Sequence, residues 1–362
     1  MRRLNNIKMT EAMGIDTQAK ELSKTKKIYN LSAGDPNIQL QDELIDSYYI
    51  LDVNRTKNYC SSQGLIELRK LIHPNTNQVM ISNGAKQLIY LALRVATNPS
   101  DEVVIIGPCW PSYMRICDIL GIKYTLVVGD EKNNYIPTAS DIEEAITDKT
   151  AAILINNPNN PTGVVYDDWV IDKLLDEANK HDCYLISDEI YKDIIFDERK
   201  FYSLRKYVGK SERVIVIDGF SKSCSVTGWR IGYAIASDNV ISAMTNFQSQ
   251  ISGPPSTLAQ KLIYECYEKL KSNPNIYKER VDAIDSLNSI FRRHKPDGGF
   301  YYYIPIAEHW RNSDECCKTM LVKHGIALTP GDEYGVERTV RISIASIDLD
   351  DLNEIKQHLS KI

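Results

Sequence analysis

The first residue in this sequence with surroundings suited to covalent chemistry is Lys222. It lies in the string DGFSKSCSVTGWRIGY, just past the apolar run RVIVID (Arg213 to Asp218), where a buried strand hands over to a turn. Loop lysines are mostly solvated charges, so its neighbours decide the reading. Arg230 stands eight residues on, at the mouth of the next apolar run. An arginine there can clamp a phosphate through two parallel hydrogen bonds, and its charge favours the neutral, nucleophilic lysine amine. Asp188 follows the apolar run CYLIS, so its carboxylate emerges at the end of another strand. It could cap the segment IYKDI, or hold a pyridine nitrogen protonated and make the ring an electron sink. Tyr191, three residues later, is a phenolic donor or a packing aromatic. Asn160 offers an amide from NPNNPTG (Asn157 to Gly163), a loop with two prolines and a glycine that must turn sharply and hold its shape. Gly84, Ala85 and Lys86 open a helical stretch whose free amides suit an anion. Trp110, after EVVIIGPC, can lie flat on a heteroaromatic ring or pack inside. A Schiff-base lysine beside an arginine-held phosphate is what pyridoxal phosphate requires.

The elements that must position these residues are legible as short apolar runs: Val79 to Ser82, Glu102 to Gly107, Thr125 to Val128, Ala151 to Asn156, Cys183 to Ser187, Arg213 to Asp218 and Arg230 to Ala236. Helical patterns at Gln87 to Ala96 and Trp169 to Lys180 fit between them. The alternation predicts an α/β fold with a mostly parallel sheet flanked by helices, and ligands in such a sheet sit beyond the carboxyl ends of the strands. Five of the segments just after these runs are rich in polar or aromatic groups. From about Ser256 to Phe291 the pattern becomes a long polar helical stretch, followed by strands at Gly299 to Ile306 and Thr339 to Ala345. This predicts a large domain over 34–265 and a smaller α+β domain built from 266–362 and the N-terminal arm, 1–33. In TVRISIA, alternation puts Thr339, Arg341 and Ser343 on one polar face, a place for a carboxylate clamp.

The chain has 362 residues, with 43 basic and 48 acidic ones for a net charge of −5. No basic block suggests a nucleic-acid or membrane-surface partner, and no run approaches the roughly 18 apolar residues of a spanning helix. Met1 to Thr10 has two arginines but no apolar segment behind them, so a cytoplasmic protein is expected. The eight cysteines include no CxxC, and no metal site or disulfide framework is expected. Neither GxGxxG nor a P-loop is present, which disfavours a nucleotide site.

The strings NNPNNPTG, SDEIYKDI, FSKSCSVTGWRIGY and TVRISIA, with the weaker SAGDPN, YCSSQGLIELR, ISNGAKQ and PGDEYG, run in order from Ser32 to Ala345. In these strings the chain resembles the pyridoxal-phosphate aminotransferases of fold type I, class I/II, closest in style to the aspartate aminotransferase group. The resemblance implies that Lys222 forms the Schiff base and shuttles the proton. Asp188 would bind the pyridine nitrogen, while Tyr191 and Asn160 donate to the phenolic oxygen. Arg230, the amides of Ala85 and Lys86 and the Gly84 turn would hold the phosphate, Trp110 would stack on the ring, and Arg341 would take the substrate α-carboxylate beside Gly34. Tyr59 would reach the phosphate of a neighbouring subunit, which implies a homodimer with shared sites.

Several positions depart from the pattern. Gly219 replaces a serine common in relatives, leaving Ser221 or Ser223 to supply a phosphate hydroxyl. Only IHPNTNQ stands between Leu71 and Val79, where relatives carry a longer segment. GDPN and PGDEYG replace GEPDF and PGSxFG at the substrate mouth. The expected reaction is transamination of an L-amino acid with a 2-oxo acid, 2-oxoglutarate by resemblance. A carbon–sulfur β-lyase or an amino-acid decarboxylase would use the same lysine, and a non-catalytic effector sensor is a third reading. A dicarboxylic substrate would want a second cation, for which Lys86, Arg115 and Arg338 are candidates, and an apolar one a wall from Met13 or Ile15.

Overall fold

A computed structural model describes residues 10–40, 42–270 and 273–362; residues 1–9 of the predicted arm, 41, 271 and 272 lie outside it. The strands in chain order are β1 (Tyr29–Asn30), β2 (Val79–Ser82), β3 (Glu102–Gly107), β4 (Lys123–Val128), β5 (Thr150–Asn156), β6 (Tyr184–Asp188), β7 (Val214–Gly219), β8 (Gly232–Ile235), β9 (Tyr301–Pro305), β10 (Ile326–Ala327), β11 (Thr329–Pro330) and β12 (Thr339–Ser343).

Seven of them form the main sheet in the order β2-β8-β7-β6-β5-β3-β4. All its pairings are parallel except those of β8, which runs against both neighbours. Apart from the edge strand β4, whose first three residues are exposed, the sheet is buried on both faces, which is why its strands read as nearly continuous apolar runs. Alternate residues serve opposite faces. Val103 and Ile105 pack with Leu88, Leu91 and Ala92 of the helix Ala85–Ala96 and with Met244 of the helix Asp238–Ile251. Val104 and Ile106 face Val170, Ile171 and Leu174 of the helix Asp168–Lys180 on the other side. Each such side chain, fully withdrawn from water, contributes about 1.5–3 kcal/mol.

Strand direction decides where chemistry collects. Strands β2 to β7 deliver the residues that follow them to one edge. Because β8 is reversed, Arg230, two residues before it, reaches that same edge.

A second sheet, β11-β12-β9, is antiparallel. It packs with the helices Pro274–Asp285, Ser289–Arg293, Ser313–His324 and Leu349–Leu359 around Phe300, Tyr302, Ile342 and Ile344. β1 pairs with β10 and brings the helix Glu11–Leu22 onto this body. The long helical stretch expected from Ser256 to Phe291 is broken instead into helices at Thr257–Cys266, Pro274–Asp285 and Ser289–Arg293. Capping explains the breaks. Asn273 accepts from the Asn275 amide ahead of a first-turn proline, and Asn288, fully extended at φ −162°, accepts from the amides of Ile290 and Phe291. Helical periodicity runs across such a break, but the backbone does not.

Among the described residues no helix is long and apolar enough to cross a membrane, and no cluster of ligating side chains could hold a metal. All eight cysteines are free.

Candidate active site

A cavity of about 490 Å³ opens at the carboxyl edge of the main sheet and is closed from the other side by the helix Glu11–Leu22 and the antiparallel sheet. Its size suits a cofactor with a small substrate. Lys222, Asp188, Tyr191, Asn160, Ser221, Ala85, Lys86, Trp110, Arg230, Gly34 and Arg341 all line it.

Lys222 points its Nζ at the Gly34 carbonyl, 2.7 Å away. Burial lowers its pKa to about 8, so the neutral amine is far more populated near neutrality than in a free lysine, though still the minor form. Asp188 is 3% exposed. Its Oδ1 accepts from the Ile190 amide at 3.2 Å and its Oδ2 from the Tyr113 hydroxyl at 2.6 Å. It therefore caps the following turn and also presents a carboxylate to the cavity. Burial raises its pKa to about 6, a cost that a protonated ring nitrogen would offset.

The asparagine-rich loop is held by backbone bonds, such as the Asn157 amide to the Asp188 carbonyl at 2.9 Å, and by its own side chains. Asn156 donates to the Asp188 carbonyl at 2.9 Å and accepts from the Asn160 amide at 2.7 Å. Asn159 donates to the Pro108 carbonyl and accepts from both the amide and the hydroxyl of Thr162, and Asn157 accepts from the Tyr166 amide. Asn160 and Asn156 both line the cavity, and the Oδ1 of Asn160 accepts from Nη1 of Arg341 at 3.3 Å. Its amide nitrogen stays available as a donor.

At the phosphate end, Gly84 has φ +81° and a Cβ there would lie 2.5 Å from the Arg230 guanidinium, so glycine is required for the close approach. Arg230 itself is left-handed (φ 57°, ψ 46°) and bonds the carbonyls of Thr227 and Asn83. It thereby stands over the free amides of a twelve-residue helix, an arrangement suited to a phosphate. Gly219 could not be serine without disturbance, because its Cβ would meet Gly232 Cα and the Ile231 carbonyl at 2.9 Å. Ser221 lines the cavity, whereas Ser223 opens into a different one beside Cys224.

Arg341 is 4% exposed. It donates to the Ser32 carbonyl, and its Nε has no partner. Its guanidinium carbon lies 4.5 Å from the Tyr301 ring centre and 5.1 Å from that of Tyr334. An orphaned, buried guanidinium nitrogen fits a carboxylate ligand. The expected polar face of β12 is realised at this one position; Thr339 and Ser343 are buried and bond to backbone. Of the three candidate second cations, Lys86 lines the cavity, 4.7 Å over the Trp110 ring. Arg115 is paired with Asp118 and Glu333, and Arg338 donates to three carbonyls, both outside the lining. Met13 and not Ile15 contributes an apolar wall.

Tyr59 is 93% exposed and does not reach the cavity of its own chain. The lining also holds residues that the sequence motifs do not single out, among them Tyr113, Tyr301, Tyr334 and Asp35. Tyr113 has a local signal, its place three residues after Trp110 at a helix start; the others depend on strand register and domain packing.

Comparisons to known proteins place the chain as a whole. The model of the family "aminotransferase class I and II" matches residues 26–359. The chain belongs to that family. It is 32% identical to an aspartate aminotransferase of Bacillus subtilis, over 99% of this chain and 98% of the relative, and 32% identical to one of Sulfolobus acidocaldarius over 95% and 92%. Among solved structures, an aspartate aminotransferase of Thermotoga maritima superposes with a TM-score of 0.90 at 29% identity, covering 99% and 98% of the two chains. One of Thermus thermophilus with maleate gives 0.90 at 25%, covering 100% and 98%. This aminotransferase is thus a fold type I enzyme that carries out transamination with pyridoxal 5′-phosphate. The residues present fit that cofactor: a desolvated lysine, a buried carboxylate with a lone pair to spare, and a glycine cradle under an arginine.

Proposed function

We propose that this aminotransferase moves the amino group of aspartate to 2-oxoglutarate, giving oxaloacetate and glutamate, with each residue of the cavity in a distinct role. Bound pyridoxal phosphate supplies the carbonyl for the amine and the ring that takes up the electron pair left when the α-proton departs. Arg341 takes the α-carboxylate through its unpartnered edge and so fixes which face of the substrate is presented. Lys222, as a free amine, would remove the α-proton and return it. Asp188 keeps the ring nitrogen protonated, with its own position fixed by Tyr113 and the Ile190 amide. Tyr191, whose phenol burial holds protonated, and Asn160 donate to the phenolic oxygen. Arg230, Ser221 and the amides of Ala85 and Lys86 bind phosphate, and Trp110 covers the ring.

The observation that carries the choice of a dicarboxylic donor is Lys86. Lys222, Arg230 and Arg341 have assigned partners, and Lys86 is the remaining cation in the described lining. The relatives named as aspartate aminotransferases, one of them solved with the dicarboxylate maleate, support the same choice. Replacing Lys86 with Met should lower kcat/KM for aspartate about 10–100-fold, the worth of one charge-assisted hydrogen bond, while leaving alanine turnover nearly unchanged. Equal losses for the two donors would remove Lys86 from specificity. Pyruvate and ammonia, or carbon dioxide, as products in place of oxaloacetate and glutamate would instead mark a lyase or a decarboxylase.

The same reading assigns a homodimer in which Tyr59 completes the partner's phosphate site. Exposed Tyr48, Tyr49 and Val53 near Tyr59 support it, and sedimentation that gives a monomer would refute it. A cytoplasmic location is supported by eight unpaired thiols, the state kept by a reducing compartment. A division into 34–265 and 1–33 with 266–362 is supported by the helix Thr257–Cys266 packing with the main sheet and the helix Pro274–Asp285 with the smaller one. Limited proteolysis that cuts near 266–273 would test it.

A further inference from the structure

Tyr301 lies where the cofactor-facing and substrate-facing groups meet. On β9 it stands opposite Ser343, and so diagonal to Arg341 on β12. Its ring lies under the Arg341 guanidinium at 4.5 Å, and its hydroxyl is 3.1 Å from that of Tyr191. The residue is buried, lines the cavity, and packs edge-on against the Tyr191 ring at 5.8 Å. It also dictates Gly34, since a Cβ there would lie 1.9 Å from the Tyr301 hydroxyl oxygen.

We propose that Tyr301 is a positioning residue that joins carboxylate recognition by Arg341 to proton donation by Tyr191. The inference rests on the assignment of Tyr191 to the phenolic oxygen, and proton counting then does the rest. A phenol has one proton. If Tyr191 gives it to the cofactor's oxygen, an acceptor, the contact with Tyr301 can be made only by Tyr301 donating to Tyr191. A donor behind a donor strengthens it, and a stronger donor at the phenolic oxygen stabilises the deprotonated chromophore. The ring of Tyr301 meanwhile holds Arg341 by a cation–π contact in a dry setting. One side chain thus keeps the carboxylate clamp and the cofactor donor in fixed relation.

The test uses the holoenzyme loaded with pyridoxal phosphate, read through the visible absorption of the bound cofactor as pH is varied, with and without maleate as an unreactive dicarboxylate. Tyr301→Phe keeps the ring and removes the hydroxyl. The pH midpoint should rise by roughly half a unit, the effect of one modest hydrogen bond, with maleate affinity changed less than about twofold. Tyr301→Leu removes both contacts, so the midpoint should rise equally and maleate affinity should fall about tenfold. A Tyr301→Phe midpoint equal to that of the unmodified enzyme would overturn the proposal, as would a loss of maleate binding in Tyr301→Leu with no movement of either midpoint. Tyr191→Phe is the control. If it too leaves the midpoint in place, the assignment of Tyr191 fails, and the proposal falls with it for that separate reason.

Discussion

The two walls of the cavity are built in different ways. On the side proposed for the cofactor, Asp188 ends a buried parallel strand, Asn160, Lys222 and the Gly84 turn lie within four residues after one, and Arg230 lies two residues before the reversed β8. Their positions are fixed locally, by strand ends, by asparagine side chains that lock their own loop, and by a helix start. On the substrate side, Arg341 is aimed by Ser32 from the arm, Asn160 from the main sheet and Tyr301 from a neighbouring strand. No single segment determines where its guanidinium points. The first wall is set along one sheet edge; the second is a junction of three distant parts of the chain.

Substitutions should therefore separate into those that remove chemistry or cofactor and those that remove substrate recognition. The largest effect belongs to Lys222→Ala. Turnover should fall by at least about 10⁴-fold, the upper range for a lost acid–base group, with the fold retained as judged by thermal melting. Arg341→Ala comes next: kcat/KM for every amino donor should drop about 10²–10³-fold, as when one partner of a buried ion pair is removed, while the affinity for pyridoxal phosphate stays within a few-fold. Loss of cofactor in that variant would erase the distinction between the walls.

Lys222 also has a stability signature in the apoprotein. Its pKa in the folded chain is lowered from 10.5 to about 8 by burial, so between those values the unfolded state binds more protons and stability rises with pH. Below pH 8 the whole penalty is present. Lys222→Met should therefore be more stable than the unmodified apoprotein at pH 7, by on the order of 3 kcal/mol, with the difference vanishing above pH 10.5 in denaturant titrations. A constant difference across that window would contradict the buried placement.

A paired glycine experiment gives the smallest and sharpest contrast. Gly84→Ala strains a positive-φ residue and pushes on Arg230, so cofactor affinity should weaken about tenfold. Gly34→Ala pushes on Tyr301, so the KM for aspartate should rise about tenfold with cofactor affinity kept. Equal effects of both on cofactor binding would show that the walls are one mechanical unit.

This contrast also explains how much can be read from the sequence. The seven strands of the main sheet are legible because buried strands are continuous apolar runs, and the residues after each of the six mutually parallel ones lie at one edge. The helix breaks after 266 are not, since the apolar period continues through them while Asn273, Pro274 and Asn288 reset the backbone. Tyr301 is legible only as part of a strand. In GFYYYIPI every second aromatic shares a face, but which tyrosine meets Arg341 is set by the β9–β12 register and by where Tyr191 stands. Asp35, which accepts from Thr227 across the cavity, likewise needs the arm docked against the main sheet before it has a meaning.

The most direct measurement is a single half-reaction. The purified protein, loaded with pyridoxal phosphate, is given L-aspartate without any 2-oxo acid, and its visible spectrum and the released oxaloacetate are followed together. The account predicts loss of the visible band with one oxaloacetate formed per chain, and recovery of the band on adding 2-oxoglutarate. A band that persists with aspartate, or fades without oxaloacetate, would contradict it.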